Sequence, residues 1–229
     1  MLCCILGESG SGKDTITSSL VEKYADNQQN PIYKRLVLVT DRPKRTGEIH
    51  GKEYFFYSKR YLNCLKHGQG NVRVAEYREY KVQSGDIWSY VTMKQDLINA
   101  LESSDVYIVP CVIDQLTSYL NIANENSAYD KITAMVLRVD YKTRVLRALL
   151  RCDSDDVDGI KETLRRQLYD KSSLADLNIP ESMFIDNYDS SKCIMDSYAY
   201  IKRIFNDTSR KSKVEYSDIK KDYLDLYKN

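Results

Sequence analysis

The run Gly7-Glu8-Ser9-Gly10-Ser11-Gly12-Lys13 fits the pattern G-x-x-x-x-G-K. Its flanks give it meaning. Leu2–Leu6 is a short apolar run that reads as a buried strand, and from about Asp14 to Tyr24 the pattern turns helical. A strand, a glycine-rich turn and a helix in that order make a cradle for a polyphosphate. The glycines let backbone amides turn inward, the helix amino end adds partial positive charge, and Lys13 brings a full charge to the outer phosphates. The plain alternative is a flexible Gly/Ser turn, which the strand-to-helix context disfavours. One position departs from the pattern. Asp14 and then Thr15 follow the lysine, where a Ser or Thr that ligates magnesium is usual. A carboxylate is also a hard oxygen ligand, so Asp14 and Thr15 are the expected metal ligands.

Beyond the loop, strands and helices alternate. Arg35–Thr40 reads as one strand, and Tyr54–Tyr57 as another. Ser58 opens a helix to Lys66. Val72–Tyr80 and Ile87–Thr92 alternate as antiparallel strands around Ser84-Gly85-Asp86. Helices are expected over Met93–Glu102, Asp114–Asn124, Tyr141–Leu150, Ile160–Leu177 and Ser190–Phe205. Strands are expected over Val106–Val112, Ile132–Val139 and Met183–Asp186. This order implies an α/β fold, a parallel sheet with helices on both faces. The stretch 41–92 reads instead as strands and hairpins, an inserted and mostly β subdomain in a core made of 1–40 and 93–205. Residues 206–229 form a charged C-terminal tail.

Bulk properties narrow the function. The 229 residues carry 34 Lys and Arg against 33 Asp and Glu, for a net charge of +1, which argues against a dedicated nucleic-acid binder. No stretch has the ~18 apolar residues of a membrane span, and the start lacks the basic region of a signal peptide. The six cysteines form no C-x-x-C, and Cys3 and Cys4 should face opposite sides of a strand as reduced thiols of a cytoplasmic protein. The two histidines, His50 and His67, read as surface residues rather than zinc ligands.

The second informative stretch runs Thr40-Asp41-Arg42-Pro43-Lys44-Arg45-Thr46-Gly47-Glu48-Ile49-His50-Gly51-Lys52-Glu53-Tyr54-Phe55-Phe56. Arginine forks suit phosphate oxygens, and a solvated basic loop is the other reading of the spacing. Here the chain resembles the guanylate kinases, whose signature is T-x-R-x-x-R-x-G-E-x-x-G-x-x-Y-x-F. The resemblance covers roughly residues 1–205. It implies an ATP-dependent nucleoside monophosphate kinase that uses Mg2+, with GMP or dGMP as acceptor and small-molecule nucleotides as partners. It implies that Arg42, Arg45 and Tyr54 hold the acceptor phosphate, that Glu76 reads guanine, and that Tyr90 and Thr92 contact phosphate and guanine O6. Leu38 stands where the family often has a small hydroxyl, and Val109-Pro110-Cys111-Val112 lacks the family's acids.

Transfer between phosphates concentrates negative charge, which lid arginines can neutralise. Arg144, Arg147 and Arg151 lie at helical spacings, followed by Arg165 and Arg166. The resemblance assigns a helical lid over about 144–170, whose arginines match Arg147, Arg151 and Arg166, with Arg165 the alternative to Arg166, and it makes Arg151 and Arg166 catalytic groups beside Lys13 and Arg42. It places Asn187 on the adenine side of the ATP site, with Gly7, Ser9, Gly10, Ser11, Gly12, Lys13, Asp14 and Thr15 around the phosphates. Gly-Lys-Asp-Thr is also similar to the ribose bisphosphate phosphokinases. A non-catalytic guanylate-kinase-like binding module is a third reading, against which Lys13 stands.

Overall fold

A computed structural model describes residues 1–24, 32–68, 72–82, 84–150, 157–170 and 181–206, without the side chains of 158 and 166–170. Its strands are β1 (Leu2–Leu6), β2 (Tyr33–Arg35), β3 (Leu38–Thr40), β4 (Tyr54–Phe56), β5 (Val74–Lys81), β6 (Ile87–Met93), β7 (Val106–Pro110), β8 (Ile132–Arg138) and β9 (Phe184–Asp186). Its helices are α1 (Lys13–Lys23), α2 (Lys59–Lys66), α3 (Lys94–Glu102), α4 (Ile113–Glu125), α5 (Tyr141–Leu149), α6 (Val157–Asp170) and α7 (Ser190–Asn206).

The first sheet has the order β2-β7-β1-β8-β9, and each of its pairings is parallel. β1 sits at its centre, and all five of its residues are buried. A strand covered on both faces needs apolar residues at every position, and LCCIL supplies them. Successive side chains point to opposite faces. Cys4 joins the core layer with Leu97, Leu116 and Tyr119 of α3 and α4. Cys3 joins the layer with Ile16, Leu20, Cys193 and Ile201 of α1 and α7. The expected parallel sheet with helices on both faces is what the chain forms.

The second sheet has the order β4-β3-β6-β5. β5 and β6 form the expected antiparallel hairpin, while β3 lies parallel to β4 and antiparallel to β6. One expectation is corrected here. Arg35–Thr40 is not a single strand: β2 pairs with β7 in the first sheet, and β3 pairs in the second. Leu36 and Leu38 both enter the main core, at 3% and 4% exposure. Leu36 and Val37 thus carry the chain between sheets while apolar burial continues, so the hydrophobic pattern gives no sign of the break. β3, counted with the core by its sequence, belongs to the second sheet.

Several ends have clear causes. The Ser58 hydroxyl accepts from the Tyr61 amide at 3.3 Å and caps α2. Asp140 caps α5 by accepting from the Thr143 amide at 2.9 Å. The far half of the expected helix Ile160–Leu177 falls on 171–177, outside the described residues, as does the 207–229 tail. Among the described residues, no helix is long and apolar enough to cross a membrane.

Candidate active site

The glycine-rich loop lies between β1 and α1, as its pattern requires. Gly10 and Gly12 have φ of +80° and +94°, a region that side chains rarely adopt. A Cβ on Gly10 would stand 2.5 Å from the Arg144 carbonyl oxygen, and one on Gly12 would stand 2.5 Å from Asn187 Nδ2. Lys13 Nζ curls over the loop and donates to the carbonyls of Gly7 at 2.5 Å and Glu8 at 3.0 Å. Ser11 is fully buried, and its hydroxyl has no hydrogen-bond partner.

Two outside residues hold this loop. Arg144 on α5, only 3% exposed, pairs with Glu8 at 3.0 Å and donates to the Ser9 carbonyl at 3.4 Å. Asn187, after β9, donates its amide to the Ser11 carbonyl at 2.7 Å. Asn187 is thus fixed to the loop backbone, while its own Oδ1 has no partner. Arg147 donates to the Asn187 carbonyl at 2.8 Å, so it is tied to the core. Arg144 was legible only as one of three arginines at helical spacing.

Asp14 lies in the first turn of α1 with half its side chain open to solvent, and its Oδ1 receives Arg35 Nη2 at 2.5 Å. Loss of water on its covered side works to raise this carboxyl, but the Arg35 guanidinium, its hydrogen bond and Lys13 together hold it below the usual range. Arg35 is the last residue of β2. Its side chain is 7% exposed, and its Nε and Nη1 are buried without a partner. Its guanidinium carbon also lies 5.8 Å from the centre of the Tyr54 ring. Sequence reasoning missed Arg35, which looked like an ordinary strand residue.

Arg42, Tyr54 and Tyr90 come together. Arg42 is 3% exposed, and its two terminal nitrogens grip Glu48, with Nη1 2.7 Å from Oε2. Its guanidinium stacks 5.0 Å from the Tyr54 ring centre and 5.3 Å from that of Phe56. The Tyr54 and Tyr90 rings meet edge to face at 5.9 Å. Burial pushes the Tyr54 hydroxyl up, so it stays a donor. Burial would also raise the Glu48 carboxyl, but hydrogen bonds from Arg42 and the Arg45 amide hold it down. Arg45 itself is exposed on the loop.

Glu76 and Thr92 are opposite one another across β5 and β6. Glu76 is 9% exposed, with Oε2 buried and unpartnered and Oε1 3.7 Å from Arg78. Burial pushes its carboxyl up, against the pull of Arg78 and with the help of Asp114. Thr92 is buried beside Gln115 and Tyr119, neither of which the sequence singled out.

Arg151 lies outside the described residues, and so does the side chain of Arg166. The neighbouring Arg165 reaches from α6 to the β5–β6 hairpin, donating to the Lys81 carbonyl at 2.9 Å. Among the described residues, no cluster of three or more His, Cys, Asp and Glu could hold a metal. Asp14 and Thr15, both exposed at the start of α1, offer hard oxygens of the kind that magnesium takes together with substrate phosphates.

A parallel sheet whose central strand feeds a glycine-rich loop and a helix defines a P-loop α/β protein. The family model described as guanylate kinase matches residues 2–87. The chain is 23% identical over 193 residues to guanylate kinase from Caldanaerobacter subterraneus subsp. tengcongensis, covering 78% of this chain and 91% of that one. It is 36% identical over 81 residues to guanylate kinase from Lactobacillus johnsonii, spanning about a third of each chain, 35%. The crystal structure of guanylate kinase from Anaplasma phagocytophilum shares the fold, with a TM-score of 0.57 at 13% identity over 92% of this chain and 88% of that one. The chain is thus similar to guanylate kinases in sequence, by the family model over residues 2–87, and shares their fold over most of its length.

Proposed function

We propose that the protein transfers the γ-phosphoryl group of ATP to a nucleoside monophosphate, GMP or dGMP. The observation that carries this reading is Arg35, whose guanidinium pairs with Asp14 of the phosphate-loop helix and faces the Tyr54 ring of the acceptor sheet. The loop that would hold the donor's phosphates and the group of Arg42, Tyr54 and Tyr90 that would hold the acceptor's therefore lie on either side of one side chain. A plain nucleotide switch would not need that second group.

The chemistry needs no protein nucleophile, because the acceptor's phosphate oxygen attacks the γ-phosphorus as the bond to the β–γ bridging oxygen breaks and ADP leaves. Lys13 and the loop amides would hold the donor phosphates in line. Arg42, Arg45 and Tyr54 would orient the attacking phosphate and offset its charge. Mg2+ held by Asp14 and Thr15 would neutralise charge on the transferring group. Arg151 and Arg166 would do the same from the lid, a reading supported by the contact of Arg165 with the β5–β6 hairpin. Residues 1–205 would be the catalytic unit, with 206–229 as an appendage. Free buried thiols at Cys3, Cys4 and Cys111 fit a cytoplasmic setting.

Lys13→Met tests the loop assignment. ADP release is expected to fall by at least about 100-fold, while GMP binding by calorimetry stays within a few-fold of wild type. Wild-type turnover in this variant would contradict the assignment.

A further inference from the structure

A chain of buried polar side chains runs behind Glu76 and Thr92. Arg78 Nη1 donates to Gln115 Oε1 at 3.4 Å. Gln115 Nε2 donates to the Tyr119 hydroxyl at 2.6 Å. That hydroxyl lies 2.6 Å from Thr92 Oγ1. Gln115 and Tyr119 are fully buried and Thr92 is 1% exposed, so water does not compete for these groups.

The direction of the chain follows from its first member. A guanidinium has donors only, so Gln115 turns its carbonyl to Arg78 and its amino group to Tyr119. The Tyr119 oxygen accepts, and its hydrogen goes to the near acceptor, Thr92 Oγ1. Thr92 Oγ1 also receives Gln115 Nε2 at 3.5 Å, so both of its lone pairs are engaged and its own hydrogen is the group left to offer. A donor there pairs with a ring carbonyl and opposes a ring amino group. Glu76 selects the same partner independently. Its buried, unpartnered Oε2 is an acceptor, and the purine tautomer with a carbonyl at C6 carries a hydrogen on N1, whereas a 6-aminopurine presents a lone pair there.

We propose that Gln115 is a positioning residue which, acting through Tyr119, fixes Thr92 as a hydrogen-bond donor and so makes the acceptor site prefer 6-oxopurine monophosphates over 6-aminopurine monophosphates. The inference rests on the guanylate kinase reading, with its base site at Glu76 and Thr92. Arg78, which sets the Gln115 amide, also stacks 5.4 Å from the Tyr90 ring centre. The relay is therefore joined to the acceptor-phosphate group.

The test is steady-state phosphorylation of GMP, IMP and AMP by wild type, Gln115→Glu and Gln115→Met, with melting temperatures for each. In Gln115→Glu the carboxylate accepts from Tyr119, whose oxygen then takes the Thr92 hydrogen, and the chain runs backwards. The ratio of kcat/KM for GMP, and for IMP, over that for AMP is expected to fall about tenfold or more. The loss should lie in the KM of the 6-oxo acceptors, with the KM for ATP unchanged. Gln115→Met, matched in volume, should show a smaller fall, and it keeps the test open if the buried acid prevents folding. A merely structural role would lower kcat for all acceptors alike. A wild type that prefers GMP, with folded variants that keep its ratio, would overturn the relay alone. A wild type that prefers AMP, or uses no purine nucleotide, would overturn the guanylate kinase reading and the relay with it.

Discussion

At the scale of single residues, the departures from the usual phosphate-loop pattern have partners. Asp14 replaces a hydroxyl after Lys13, and Arg35 arrives from β2 to meet it. The pair should be coupled, since Asp14 is the carboxylate paired with the buried Arg35 guanidinium. A double-mutant cycle with Asp14→Asn and Arg35→Met, read by urea unfolding, is expected to give a coupling energy of about 1 kcal/mol or more, and additive effects would show that the two are independent. Glu76 makes a second prediction. Burial raises its carboxyl, so the ionised form costs stability near neutral pH, and that cost fades as the pH falls through the raised value. Glu76→Gln should therefore melt higher than wild type at about pH 7, with the gain shrinking toward about pH 5. The KM for GMP should rise on acidification in wild type and stay flat in the variant. The reach of sequence reading differs between these residues. Lys13 stands out by the short spacing of its motif, and Arg42, Tyr54 and Glu76 were picked out through the resemblance to the guanylate kinase signature. Arg35, Gln115 and Tyr119 were not, because their roles depend on contacts 21 or more residues away, or across a helix turn that reads as plain core.

At the scale of elements, most strands and helices followed from periodicity, and the exception has a physical cause. The apolar run Leu36–Val39 spans the junction from β2 into β3, yet the chain changes sheet at Leu36 and Val37. Leu36 and Leu38 are buried alike on either side of the junction, so hydrophobicity cannot report where the pairing partner changes. Capping was more readable: Ser58 before an amphipathic run marked the start of α2. Ser58→Ala should cost about 1 kcal/mol in urea unfolding, and no loss would mean that the cap is idle. The helix α5 has a task that its amphipathic pattern hid, bracing the phosphate loop through Arg144. Arg144→Met should loosen the loop and raise the KM for ATP about tenfold, with the KM for GMP little changed. Equal effects on both substrates would place Arg144 in general stability instead.

At the scale of the whole molecule, a parallel five-stranded sheet carries the glycine-rich loop and a second, four-stranded sheet carries Tyr54, Glu76 and Thr92. The two meet where Arg35 contacts Asp14 on one side and Tyr54 on the other. That arrangement suits the proposed phosphoryl transfer, in which the loop would hold the donor's phosphates and the second sheet would hold the acceptor. The central claim is tested most directly by ADP production from ATP and Mg2+ with GMP, dGMP, AMP, CMP, UMP, dTMP and ribose 1,5-bisphosphate as acceptors, beside a control without acceptor. The account predicts turnover confined to GMP and dGMP, with ATP hydrolysis in the control far slower. Turnover with ribose 1,5-bisphosphate, or with none of the nucleotides, would contradict it.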